Sequence, residues 1–411
     1  MGEPKLRFKA DDGSEFPDWE DKTLGELFTF VTEKNKDGHI NNVVTNSAER
    51  GLVPQREYFD KDIAVDGNTK GYTVIRKGDF VYNPRKSASA PFGPFNIYER
   101  DEVGIVSPLY TCLTPYDDEM APYLSWYFKT NRWHPYIVTH GAQSGARHDR
   151  VGMTVALMEG IPVLLPSLPE QRKISDFLSA VDAVIAAQQA EVDAWEQRKK
   201  GVMQKLFSQE VRFKADDGSE FPDWEEKTLG ELCAPLTYGM NAAATKFDGE
   251  NRYIRITDID DETHALLPND IVSPSGELDD KYLVKKGDIL LARTGASTGK
   301  SYLYHPKDGK LFYAGFLIKA HVLPSSDDYF IYSQTFTDRY WKWVKTASMR
   351  SGQPGINANE YASYSFAVPS LPEQRKIADC LASMDEVIQK SKDELAKWRD
   401  LKKGLLQQMF V

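Results

Sequence analysis

The chain has 411 residues, 41% apolar and 27% charged, with a formal charge of -10. These proportions exclude a fibrous or disordered chain, and the length exceeds what one hydrophobic core usually serves, so two or more globular units are expected. The opening MGEPKLRFKADDGSEF lacks the apolar core of a signal peptide, no later run approaches the roughly 20 apolar residues of a membrane span, and Cys112, Cys233 and Cys380 form neither a disulfide framework nor a CxxC metal site, which together point to a reducing cytoplasm.

The first element is acidic. Residues 10–26 hold Asp11, Asp12, Glu15, Asp18, Glu20, Asp21 and Glu26 against Lys22. The segment around them, LRFKADDGSEFPDWEDKTLGEL at 6–27, returns as VRFKADDGSEFPDWEEKTLGEL at 211–232, with changes only at the first and sixteenth positions. The two acidic segments account for all of the net negative charge, so the rest of the chain is slightly basic and a nucleic-acid partner stays open.

Within the first insert, GYTVIRKGDFVY at 71–82 alternates β-branched and aromatic residues between Gly and Asp, which predicts strands joined by a tight turn. Lys70, Arg76, Lys77, Arg85 and Lys86 face only Asp79 over residues 68–90, and APYLSWYFKTNRW at 121–133 has the period of an amphipathic helix. The block PSLPEQRKI follows at 166–174 and recurs at 369–377, which makes the chain a tandem duplication with a period near 204.

Each copy of that block leads into a heptad stripe. Ile174, Leu178, Val181, Ile185, Gln188, Val192, Trp195, Lys199, Val202 and Leu206 step by four and three, as do Ile377, Leu381, Met384, Ile388, Ser391, Leu395, Trp398, Lys402, Leu405 and Met409. Two such stripes at one place in a duplication predict a long helix pair, with the polar members setting register. Chain direction makes the pair antiparallel: the first helix leads from the first insert to the second, and the other returns. The expected class is α+β, with two similar domains joined by antiparallel coiled-coil helices in a circular, pseudo-two-fold arrangement. Its boundaries fall at 1–165, 166–208, 209–368 and 369–411.

The second insert carries strands over YLVKKGDILLART at 282–294, a helix over SQTFTDRYWKWV at 333–344, and the stretch RTGASTGKS at 293–301. That stretch ends like a phosphate-binding loop, yet Thr294 stands where the first Gly belongs and SYLYHPKDG continues as strand and turn rather than helix. Nucleotide hydrolysis is therefore not expected. YNPR at 82–85 lacks the stacking aromatic of an adenine methyltransferase site, and PDWEDK at 17–22 is repeated almost verbatim, as suits a structural joint better than a nuclease. No catalytic or metal-binding constellation is expected.

The remaining basic, hydroxyl-rich loops suit DNA, because Lys, Ser, Thr and main-chain amides position a duplex while Arg, Gln and Asn read base edges. Candidate contacts are Arg85, Lys86, Ser87, Ser144, Arg147, His148 and Arg150 in the first insert. In the second they are Arg293, Thr294, Ser297, Thr298, Lys300, Arg350, Ser351, Gln353 and Asn357, with Lys300 expected on phosphate.

The doubled PSLPEQRKI and its helix, KKGDILLARTGASTGKS, SGQPGINANEYASYSFAVPSLPEQ and the FPDW…TLGEL openings together resemble the specificity (S) subunit of type I restriction-modification systems. The likeness covers the whole chain, departing where SGARHDRVGMT replaces SGQPGIN in the first insert. It implies two target recognition domains that each read half of a split double-stranded DNA site, with helices that fix the gap. It further implies methyltransferase (M) partners that bind S-adenosylmethionine and methylate adenine, a separate motor and nuclease (R) subunit, and no cofactor or catalysis in this chain. The competing expectation is a coiled-coil scaffold carrying two protein-binding domains without DNA recognition, which salt-sensitive duplex binding distinguishes.

Overall fold

The computed structural model of the protein describes residues 4–58, 69–141, 149–349 and 353–410. The chain divides into two units, Met1–Gln189 with Asp393–Val411, and Ala190–Lys392. Sequence boundaries at 165, 208 and 368 set the long helices apart as separate segments, whereas the structure shares each helix between the units. The reason is apolar. Ile174 and Leu178 join Met409 and Phe410 in the core built on Leu24, Phe80, Tyr127 and Trp133. Ile377 and Leu381 join Met203 and Leu206 in the core built on Leu229, Ile289, Tyr340 and Phe366.

The long helices are Leu168–Phe207 and Leu371–Met409. Their expected seam is present: Ile174, Leu178, Val181 and Val192 are buried and Ile185 and Trp195 half-buried, while Ile377, Leu381, Ile388 and Leu395 are buried and Met384 and Trp398 half-buried. In the first unit Lys402 pairs with Asp182 at 2.5 Å and Arg399 donates to Gln189 at 2.8 Å. In the second, Lys199 pairs with Asp385 at 2.5 Å and Lys392 with Glu196 at 2.6 Å. Partners descend on one helix as they ascend on the other, so the pairing within each unit is antiparallel. Lys199 and Lys402 are the charged members of the two stripes, and their carboxylate partners fix the register that an all-apolar seam would leave free to slide.

The near-verbatim repeats are joints. Strand Glu20–Thr23 pairs antiparallel with Pro162–Leu165, and Glu225–Thr228 with Ser365–Val368. Thr23 and Thr228 then open short helices, Leu24–Leu27 and Leu229–Leu232, through capping boxes closed by Glu26 and Glu231. The Glu of each PEQ block is 0% exposed. Glu170 accepts from Arg7 at 2.8 and 3.1 Å and from the Trp19 indole at 2.9 Å. Glu373 accepts from Arg212 at 2.8 and 3.1 Å and from Trp224 at 3.2 Å. PDWEDK thus belongs to a structural joint. In the second unit Val211 N donates to Lys205 O across the helix end, and in the first Leu6 N donates to Gln408 O. Leu6 and Gln408 therefore meet in the first unit as Val211 and Lys205 meet around a continuous turn in the second.

Each unit also holds a four-stranded antiparallel sheet. The order is Phe28–Phe30, Thr111–Pro115, Phe80–Tyr82, Phe95–Ile97 in the first and Thr237–Tyr238, Leu317–His321, Asp288–Ala292, Ser301–Leu303 in the second. The predicted amphipathic helices form as Ala121–Phe128 and Asp338–Ala347, the latter starting five residues later than its sequence period suggests because Gln334–Phe336 forms a 3-10 turn and Thr337 caps the helix. Among the described residues no helix is long and apolar enough to cross a membrane.

Candidate nucleic-acid interface

Both sheets rest on a Lys-Gly-Asp turn. Gly78 and Gly287 take φ of 93° and 88°, a left-handed conformation that Gly adopts without strain. The Asp that follows is buried and ties the turn to the neighbouring strand. Asp79 accepts from Arg76 N at 2.7 Å and Thr114 Oγ1 at 2.5 Å. Asp288 accepts from Lys285 N at 2.8 Å and bonds His321 Nδ1 at 2.7 Å. Each turn is followed by the same antiparallel register, Phe80 opposite Leu113 and Ile289 opposite Ala320, so the strands that leave them correspond residue for residue.

Beyond those strands each unit builds one cross-strand bridge. Arg85 bridges Arg150 antiparallel, and Thr294 bridges Gly355. Val151 N donates to Pro84 O at 2.8 Å in the first unit, and Ile356 N to Arg293 O at 2.9 Å in the second. The bridge joins the candidate loops of the sequence in pairs: Arg85, Lys86 and Ser87 with Arg150, and Arg293, Thr294 and Ser297 with Gln353. Arg85, Lys86, Ser87 and Gln353 are exposed, and Arg150, Arg293, Thr294 and Ser297 half-buried. Asp149 stands 4.0 Å from both Arg85 and Arg150 and holds Lys86 N through its carbonyl at 2.9 Å. Asn83 Oδ1 accepts from Arg85 N at 3.0 Å, so YNPR is a strand-end turn. Ser144, Arg147, His148, Arg350 and Ser351 lie outside the described residues.

In the second unit the loop is clamped from beneath. Tyr361 donates to Ala292 O at 2.6 Å and accepts from Gly299 N at 3.1 Å, while Tyr340 donates to Gly299 O at 2.8 Å. Gly299 has φ of 95°, and a Cβ there would meet Val344 Cγ1 at 2.7 Å. The Gly of STGKS is thus demanded by packing, not by a phosphate.

Three sequence candidates are taken up by the fold, and their expected exposure to DNA is corrected. Lys300 is 5% exposed, donates to Ile259 O at 2.8 Å and pairs with Asp261, so its ammonium is directed inward. Thr298 is buried and donates to Gly295 O at 2.8 Å. Asn357 caps helix Ala358–Ala362 in a capping box with Glu360. The cause is common to all three: a donor-rich loop satisfies its own backbone before it presents anything outward. Lys300→Ala is accordingly expected to lower stability by about 2 kcal/mol and to leave the salt dependence of DNA binding unchanged; a slope flattened by one unit in a fully stable variant would restore the phosphate role.

Beneath Lys300 runs a buried chain in which His264 Nδ1 meets Ser301 Oγ at 2.9 Å and Ser301 meets Thr335 Oγ1 at 2.7 Å. Ser301 is 0% exposed, so the Ser-His pair is out of any substrate's reach. Burial first, and Lys300 second, pull the His264 pKa down to about 4 against the opposing pull of Asp260 and Asp261. The neutral imidazole is what the fold holds. Its stabilisation is complete above the unfolded value of about 6.5 and is lost as pH falls toward 4, at about 1.4 kcal/mol per pH unit. Urea unfolding at pH 7 and pH 5 measures this, and His264→Gln should remove that part of the slope.

Sequence reasoning missed Tyr238 and Phe316. Arg293 lies over the Tyr238 ring at 4.7 Å, its Nη1 reaches Gly315 O only at 3.5 Å, and its Nε is buried without a partner. Arg293 N donates to Phe316 O at 3.1 Å, which sets the 60% exposed Phe316 side by side with it. Short loops of unlike sequence around both residues hide any period that would have revealed them.

A family model described as type I restriction modification DNA specificity domain matches residues 17–194 and again 222–397. The chain is similar to the MjaVIII specificity subunit of a type I restriction enzyme from Methanocaldococcus jannaschii, with 25% identity over 268 residues, 61% of this chain and 61% of that protein. It is also similar to the putative MjaX specificity subunit of the same organism, with 23% identity over 97% of this chain and 94% of that one. Among solved structures, the type I restriction-modification S subunit from M. genitalium shares the fold at a TM-score of 0.58 and 15% identity, covering 100% of this chain and 99% of that one. A chain from a study of type I R-M complex assembly and conformational transition aligns at 0.54 and 15% identity, over 96% and 98%. The α+β class with its two long helices is the class of these neighbours.

Proposed function

We propose, from the premise that the chain belongs to the type I restriction-modification DNA specificity family, that its two units each read one half of a split double-stranded DNA site. The chain is a specificity component and performs no reaction. It directs adenine methylation by methyltransferase subunits, which bind the S-adenosylmethionine, and cleavage by a motor and nuclease subunit. The paired helices set the gap between half-sites.

One observation carries this reading. A single bridge, Arg85 with Arg150 and Thr294 with Gly355, recurs on register-equivalent strands while the residues it presents differ. A fixed frame holding two unlike donor sets suits an asymmetric, interrupted target, because Arg and Gln read base edges and hydroxyls and main-chain amides hold the backbone. Mapping methylated adenines in DNA exposed to the chain with its cognate methyltransferase and S-adenosylmethionine tests it. The expected product is one interrupted, asymmetric sequence with a methyl group in each half. Methylation at a continuous or palindromic site overturns the reading.

A further inference from the structure

The Lys-Gly-Asp turns fix a residue-by-residue correspondence that the sequence does not reveal. Phe80 pairs with Leu113, and Ile289 with Ala320. Thr114 reaches Asp79 from the same place that His321 reaches Asp288. Carried back along the strand, this register sets Leu109 of the first unit at the position of Phe316 in the second. Both are large, apolar and exposed, at 56% and 60%.

An exposed Leu or Phe alone says nothing, since single apolar side chains are common on protein surfaces. Two at one register position, in units whose loops otherwise differ, are a different matter. Each precedes the strand that pairs beside the bridged loop: Leu109 stands two residues before Thr111–Pro115 and Phe316 directly before Leu317–His321. Each is held by its backbone rather than by its side chain. Tyr110 N donates to Ser107 O at 3.0 Å to close a turn around Leu109. Phe316 O accepts from Arg293 N at 3.1 Å, and Gly315 N donates to Met240 O at 2.8 Å. The side chain is thus presented on a stiff support and costs little ordering entropy on contact. In the second unit the Phe316 backbone pairs with that of Arg293, whose guanidinium lies on Tyr238, with Nη1 3.5 Å from Gly315 O and Nε unpartnered. An apolar group next to a cationic fork matches a base edge, where a thymine methyl adjoins hydrogen-bonding atoms.

We propose that Leu109 and Phe316 are specificity-determining residues, each making the apolar base contact of its own unit, with Tyr238 positioning Arg293 beside Phe316. This rests on the DNA-reading function proposed above. Side chains that differ in size and shape at one shared position give the two half-sites different preferences from a single frame. The contact is made in the groove that the bridged loop faces, and the two units act independently in it.

Selection from a randomised duplex library by the complex of this chain with its methyltransferase tests the inference. Phe316→Ala is expected to relax one position of one half-site by about 5-fold or more and to leave the other half-site as it was. Leu109→Ala should do the converse. Phe316→Leu retains an apolar group and should keep part of the preference, and Tyr238→Leu, which removes the ring beneath Arg293, should relax the adjacent position while Tyr238→Phe does not. Val138→Ala, at another exposed apolar residue of the first unit, should change nothing. Unaltered preferences in folded Phe316→Ala and Leu109→Ala complexes overturn the inference and leave the proposed function standing, as does an affinity loss equal for all sequences. A parent complex without any sequence preference removes both.

Discussion

Glu373→Ala is expected to lower the unfolding free energy of the second unit by about 3 to 5 kcal/mol. The carboxylate is wholly buried, and its removal takes the acceptor from the Trp224 indole and leaves the Arg212 guanidinium with the Phe221 and Pro222 carbonyls and the exposed Asp223 carboxylate 3.7 Å away. The cost comes mainly from the half-buried cation, which the exposed Asp223 compensates only weakly, rather than from the lost attraction. Arg212→Met with Glu373→Ala should therefore be less damaging than Glu373→Ala alone, a non-additivity that a double-mutant cycle reads directly. Glu170→Ala should repeat the effect in the first unit, through Arg7 and Trp19. Chemical denaturation followed by tryptophan fluorescence is the measurement, and midpoints equal to those of the parent chain would contradict the role of the joint.

That joint shows what a single sequence can disclose. Two stretches that return almost unchanged, one holding Arg and Trp and the other holding Glu, were legible as frame because duplication keeps what packing needs in both copies. The heptad stripes were legible for the same reason, down to Lys199 and Lys402 at matching steps. The site was legible only in part. Arg85 with Arg150, and Thr294 with Gln353, are brought together by a bridge between segments more than fifty residues apart, which no local period encodes. Lys300 misled because a lysine in a basic, glycine-rich loop looks the same on paper whether its ammonium meets water or the Ile259 carbonyl. Phe316 and Leu109 escaped because their equivalence exists only in strand register.

Deleting residues 188–194 and 391–397, one heptad from each long helix, is expected to abolish methylation at the original spacing and create a shorter-gapped target with both half-sites intact. The deletion keeps the heptad phase of Val181 and Val202 and of Met384 and Leu405, so the seam closes again. It also removes Lys392 and Gln189 and brings Glu196 to the level that Gln189 holds opposite Arg399, so one new ion pair takes the place of the Lys392–Glu196 pair and the Arg399–Gln189 hydrogen bond. One heptad is about 10.5 Å of helix, the length of about three base pairs at roughly 3.4 Å each. Length is not the only constraint. Three base pairs turn a duplex by about 100°, whereas a heptad turns the helix surface by only about 20°. The new gap should then be shorter by one to three base pairs, with the smaller change favoured because it leaves less twist for the DNA to absorb. A methylation map that retains the original gap would show that the helices do not set the spacing.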